Sequence, residues 1–137
     1  ARGTDGRKYP WGDERPDEDG IYRANYRTVS QKGSADGFIH AAPVGSFPEN
    51  QSPYGTFDMA GNVWEWVADW YDSEYYTYSP QRNPKGPEIS PIGGKVMRGG
   101  SWDMPSRLIR CADRYGLDGP GDWFSDVGFR CAKSASE

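Results

Sequence analysis

Acidic side chains at Asp58, Glu65 and Asp69 fall within one aromatic stretch, Tyr54 to Tyr71, which also holds Trp64, Trp66 and Trp70, half of the chain's 6 Trp. Asp58-Met-Ala-Gly61-Asn62 reads as a turn, because Gly tolerates positive φ and Asp and Asn cap their own backbone. Val63 to Val67 reads as a strand, rich in aromatic and β-branched residues. A turn carrying Asp58 and a strand carrying Glu65 can bring carboxylates and free carbonyls together, the arrangement that hard cations such as calcium prefer. Asp36-Gly37-Phe38 pairs a further possible ligand with a turn residue. The alternative is an aromatic core whose acids are merely solvated.

Other chemistry is sparsely supplied. His40 is the sole His, which excludes a multi-His metal centre, and it sits between Ile39 and Ala41 with no nucleophile pattern nearby. It is expected to be structural. Cys111 and Cys131, the 2 Cys of the chain, lie in the similar contexts Ile-Arg-Cys-Ala and Phe-Arg-Cys-Ala, which look like two short strands. They lack the CxxC spacing of a zinc or thioredoxin site. Two readings stay open for them, a pair of buried thiols or one disulfide between neighbouring strands. There is no phosphate-binding loop and no dinucleotide fingerprint.

The elements that must position these residues are short. A chain of 137 residues with 18 Gly, 11 Pro, 35% hydrophobic and 15% aromatic residues should be one loop-rich domain held by aromatic packing. A net charge of -4 argues against nucleic acid as a partner, since phosphate binding needs a basic face. No apolar run approaches the roughly 18 residues of a membrane span. Tyr9-Pro-Trp-Gly12 reads as a compact turn with two aromatic anchors, residues 13–20 as an acidic surface loop, and Ile21 to Tyr26 as a short extended piece. Residues 28–37 are polar loop. After Tyr71 come a Tyr-dense segment to Pro80 and a Pro- and Gly-rich excursion to Gly94. Lys95 to Trp102 reads as a strand running into a Gly bulge. Arg107 to Arg114 and Asp126 to Lys133 are the last strand candidates, with residues 116–122 as the loop between them. No repeat or linker divides the chain.

Taken in order, Tyr9-Pro-Trp-Gly12, Ala42-Pro-Val44, Gly61-Asn-Val-Trp-Glu-Trp66, Arg98-Gly-Gly-Ser-Trp102, Arg110-Cys-Ala112 and Gly128-Phe-Arg-Cys131 resemble the formylglycine-generating enzyme (sulfatase-modifying factor) family over nearly the whole chain. The resemblance implies an α+β fold, mostly irregular with short antiparallel strands, a variant of the C-type lectin fold. It also implies two calcium sites. One would use the Asn25 side chain, the Tyr26 carbonyl, the Asp36 side chain and the Phe38 carbonyl. The other would use the Asp58 side chain, the carbonyls of Gly61 and Val63, and the Glu65 side chain.

The departures from the family are as informative. The enzymes carry two reactive cysteines shortly after the Gly-Gly-Ser motif, which bind copper and oxidise a substrate cysteine. Here that segment is Trp102-Asp-Met-Pro-Ser-Arg-Leu-Ile109, without a thiol, and the thioether of Met104 is its one soft donor for Cu(I). Cys111 and Cys131 match the family's structural cysteines. The related sulfoxide synthases need an iron site of several His, which a single His cannot supply. The expected function is a non-catalytic, calcium-stabilised binding or structural module, with a protein partner or a complementary chain. The runner-up is a formylglycine-generating oxidase acting on sulfatases, and a third reading is a subunit of a larger assembly. Residues 71–78 and 117–124 are the candidate contact loops, with lid packing over the core as the alternative. The chain reads as the later portion of a domain, so Tyr9, Trp11, Val63, Trp64 and Trp66 are expected near an exposed boundary. An extracytoplasmic location, periplasmic or secreted, is the favoured expectation.

Overall fold

A computed structural model describes residues 2–28, 35–116 and 123–132. A small mixed sheet in the order β3-β2-β1-β4 forms its spine. β1 is Trp64–Trp70, β2 Lys95–Arg98, β3 Tyr115–Gly116 and β4 Val127–Gly128. β1 reaches three residues beyond the expected Val67, because its pairing with β2 continues past an irregularity between Trp66 and Trp70. β1 and β2 are antiparallel, with Glu65 opposite Arg98. β4 pairs with β1 in parallel, placing Val127 beside Trp64 and Gly128 beside Glu65. Among the described residues no helix is long and apolar enough to cross a membrane.

Among the described residues before β1 there is one short 3-10 turn, Glu18–Gly20, and otherwise loop, and hydrogen bonds between distant loops replace a ladder. The expected turn is present: Tyr9 and Gly12 exchange backbone bonds of 2.8 and 3.2 Å, and the Tyr9 and Trp11 rings stack at 5.0 Å. Tyr9, Ala24, Tyr26, Ala60 and Ile109 form the core beneath it, with Trp11, Tyr22 and Met104 packed around them. Ile21 to Tyr26, expected to be extended, forms no strand. Its backbone is instead tied to other loops, as when Arg23 N donates to Pro16 O and Asn25 O accepts from Asn62 N. Such ties satisfy backbone groups that would otherwise be buried unpaired.

The excursion between β1 and β2 folds back as a lid. Helix α1 is a single turn, Tyr75–Tyr78. Tyr75 is buried and its hydroxyl accepts from Gly86 N at 3.1 Å, while Ser90 Oγ donates to Tyr71 O at 2.6 Å. Tyr76 and Tyr78 remain exposed, so this loop both packs on the sheet and presents aromatic surface.

Several expectations are corrected. Arg107 to Arg114 is not a strand: Ser106–Leu108 is a short 3-10 turn and only Tyr115–Gly116 pairs. The reason is visible at Arg98, whose guanidinium takes the carbonyls of Cys111, Ala112 and Asp113 and holds that segment as a turn. Asp126 to Lys133 contributes two strand residues, and they run parallel to β1. Cys111 and Cys131 are not on neighbouring strands. Cys111 lies before β3 and Cys131 after β4, neither within a strand, and both are free. Nor do Tyr9 and Trp64 mark an exposed boundary, since they are 5% and 3% exposed and Trp11, Val63 and Trp66 are half-buried. The exposed apolar side chains lie elsewhere, at Ile39, Val44, Ile89, Trp123 and Phe129 among others. Most of the polar loop at 28–37 and of the candidate contact loop at 117–124 falls outside the described residues.

Candidate cation-binding sites

The first expected ligand set is assembled by loops. Asn25 and Tyr26 are buried at 2% and 6% exposure. The Asp36 carboxylate bends back between its neighbours, accepting from Tyr26 N at 3.2 Å through Oδ2 and from Phe38 N at 3.1 Å through Oδ1. Those two bonds bring Tyr26, Asp36 and Phe38 to one place although 10 residues separate the first pair. The Asn25 amide nitrogen donates to His40 O at 2.7 Å and to Asn62 Oδ1 at 3.3 Å. The His40 ring sits edge-on to that of Trp102 at 4.9 Å. Among the described residues nothing donates to the Tyr26 or Phe38 carbonyl, nor to the Asn25 amide oxygen. An all-oxygen set with one carboxylate and two unspent carbonyls suits a calcium ion.

The second set is arranged along the bend that leads into β1. Asp58, Gly61 and Asn62 have φ of 56°, 75° and 68°, a left-handed run that turns the chain sharply just before β1 and leaves the Gly61 and Val63 carbonyls without hydrogen bonds among the described residues. Gly61 is required here. A Cβ on it would lie 2.3 Å from Asn25 O, so the two loops touch backbone to backbone. Asp58 Oδ2 accepts from Gly45 N at 2.9 Å.

Glu65 is not an isolated charge. Arg130 Nε reaches both of its carboxylate oxygens at 2.8 Å, and Nη2 contacts Oε1 as well. The same guanidinium donates to Phe57 O at 3.0 Å and Asp58 O at 2.8 Å. Pairing with Glu65 raises the already high pKa of Arg130 further. The oxygens of this second set are of the right type for calcium, but an ion there would share Glu65 with Arg130. No group of three or more His, Cys, Asp or Glu is gathered among the described residues. The first set rests mainly on carbonyl and amide oxygens and the second pairs two carbonyls with two carboxylates, all-oxygen donors of the kind that calcium takes.

Sequence reasoning overlooked two residues. Arg130 stood in plain view within Gly128-Phe-Arg-Cys131, but its partners are 65 to 73 residues away. In the sequence Asn62 shows only the character of a turn former, whereas its side-chain oxygen accepts from Ala42 N at 2.8 Å and its amide nitrogen donates to Ala42 O at 3.2 Å.

Cys111 lines a separate cavity of about 470 Å³, with Arg2, Met59, Val67, Tyr76 and Arg98 in its walls. Burial pushes the Cys111 thiol pKa up, so the proton stays on sulfur at neutral pH and the reactive thiolate is disfavoured. The segment that would carry reactive cysteines, Trp102 to Ile109, is a turn braced by Ser101, whose hydroxyl donates to Asp126 Oδ2 at 2.7 Å.

Comparison with known proteins places these features in a family. A formylglycine-generating enzyme of Streptomyces coelicolor is 37% identical over 139 residues, covering 97% of this chain and 42% of the enzyme. An inactive C-alpha-formylglycine-generating enzyme 2 of Mus musculus is 32% identical over 139 residues, covering 97% of this chain and 39% of that protein. The chain thus spans less than half the length of both relatives. Among solved structures, Treponema denticola variable protein 1 superposes with a TM-score of 0.71 at 28% identity, covering 93% of this chain and 41% of that one. The α+β fold with few helices and a short sheet is the expected one. Residues 1–135 match the Sulfatase-modifying factor enzyme 1-like domain, and the chain belongs to that family.

Proposed function

We propose that this chain is a non-catalytic, calcium-stabilised binding or structural module of the sulfatase-modifying factor family. The observation that supports the reading is the first ligand set, where the Asp36 carboxylate accepts from the Tyr26 and Phe38 amides while the carbonyls of both residues stay without donors among the described residues. The thiol-free Trp102 to Ile109 segment and the half-buried, protonated Cys111 support the absence of oxidase chemistry. The inactive mouse relative is a precedent for such a member. The partner would be a protein or a complementary chain, met through exposed side chains such as Trp123 and Phe129, which are 91% and 76% exposed. Rigid aromatic anchors suit such contacts. A subunit role in a larger assembly fits the same surface.

Calcium at about a hundred times its dissociation constant adds roughly 2.7 kcal/mol of stability. Chelation should therefore lower the melting temperature, and Asp36→Ala and Asp58→Gly should each remove part of that response. Glycine is the right replacement for Asp58 because its φ is 56°. A melt indifferent to chelator would refute the calcium assignment.

The second reading, a formylglycine-generating oxidase, is favoured by the 37% identity to the Streptomyces enzyme. Copper-dependent oxygen uptake with a sulfatase-type cysteine peptide decides between them. Turnover abolished by Cys111→Ser would overturn the non-catalytic reading.

A further inference from the structure

The two ligand sets share a hydrogen-bonded knot. Asn62 lies between Gly61 and Val63, whose carbonyls belong to the second set, and its backbone N donates to Asn25 O at 2.8 Å. In return, the Asn25 side chain of the first set donates to Asn62 Oδ1 at 3.3 Å. The Asn62 amide is pinned on both sides of Ala42, and Gly61 rests so close to Asn25 O that no Cβ fits between them. Gly61 N is also spent, donating to Gly99 O at 2.8 Å. Asn25 therefore cannot rotate or shift to meet an ion without moving the peptide that presents Gly61 and Val63. With Asn25 only 2% exposed, solvent cannot absorb that movement.

We infer that the two cation sites are energetically coupled through the Asn25–Asn62 pair, so that an ion at either one raises affinity at the other. The inference rests on the calcium reading above and adds a regulatory property to it. An ion that fixes Asn25 Oδ1 also fixes Asn62 and the bend at residues 58–63, removing the ordering cost that the second ion would otherwise meet. Such a coupling is reciprocal by thermodynamic necessity, and couplings between sites commonly amount to fivefold or more in affinity. Asn62 acts here as a positioning residue. It need not touch either ion.

The test is calcium titration calorimetry on the wild-type chain, on Asp36→Ala, which disables the first site, and on Asp58→Gly, which weakens the second. The product of the two stepwise association constants of the wild type is compared with the product of the single-site constants from the two variants. Coupling predicts a wild-type product at least about fivefold larger. Asn62→Gly, which keeps the left-handed backbone available and deletes the side chain, should bring that ratio to within about twofold of one while both sites still bind, its single-site constants coming from Asn62→Gly combined in turn with Asp36→Ala and with Asp58→Gly. If Asn62→Gly does not fold, the ratio from the other three proteins decides alone. Two ions bound with a ratio of one would overturn the coupling and leave the calcium reading standing. No calcium heat on the folded wild type would overturn both.

Discussion

Arg130 reaches back across 65 residues to chelate Glu65, and with the rest of its guanidinium it holds the carbonyls of Phe57 and Asp58. One side chain from beyond the parallel strand β4 thus fastens the start of β1 and the loop before it. The planar fork of arginine suits a bidentate carboxylate in a way that the point charge of lysine does not.

Arg130→Met should lower stability by about 1–2 kcal/mol, the lower part of the range for charge-assisted hydrogen bonds. The discount is for solvent screening, since the Arg130 and Glu65 side chains are 42% and 19% exposed. Arg130→Lys should recover less than half of the loss, because it restores the charge and not the fork. Denaturant melts of the three proteins check this, and a fully stable lysine variant would reduce the interaction to simple charge pairing.

Gly61→Ala should cost more than a typical surface substitution. A left-handed backbone costs a non-glycine residue about 1–2 kcal/mol, and the added methyl would collide with Asn25 O, a backbone atom that cannot swing away. The loss should exceed about 2 kcal/mol, with Gly45→Ala as the control, where φ is also positive but the space is open. Equal losses at the two positions would show that backbone conformation alone is responsible.

Stability should fall in alkali. Burial raises the phenol pKa of Tyr26 and, to a lesser degree, of Tyr9 above the ordinary value of 10.0. The folded chain then keeps protons that the unfolded chain releases. Stability is complete below about pH 10 and is lost as pH rises beyond it. In a spectrophotometric titration of the 9 Tyr, a late fraction should appear only together with unfolding, and Tyr26→Phe should shrink it. Fully reversible ionisation of every tyrosine before any loss of circular dichroism would contradict the burial of Tyr26.

Thiol chemistry should separate the cysteines. Cys131 is exposed and Cys111 half-buried, with the Cys111 pKa raised by burial. Under native conditions iodoacetamide should modify Cys131 first and Cys111 at least about tenfold more slowly. Peptide mapping during the reaction gives both rates. Rapid labelling of Cys111 would show that its cavity carries an activated thiolate.

The family and the fold class were legible in the sequence. Motifs such as Gly61-Asn-Val-Trp-Glu-Trp66 and Arg98-Gly-Gly-Ser-Trp102 are local, and their turn and strand preferences act over a few residues. The Tyr9–Gly12 turn, the left-handed bend at residues 58–62 and the glycines ending β2 all follow from such short-range chemistry. The tertiary structure alone decided the pairings. Arg110-Cys-Ala112 reads like a strand, yet Arg98 claims its carbonyls and makes it a turn. The two similar cysteine segments adjoin different strands, β3 and β4, which β2 and β1 separate in the sheet. Arg130 and Asn62 find their partners through loops whose sequence separations of 20 to 73 residues carry no periodic signal. In a chain with so little regular ladder, long-range side-chain to backbone bonds do the work of secondary structure. Which carbonyl each donor meets is settled only when the loops are packed together.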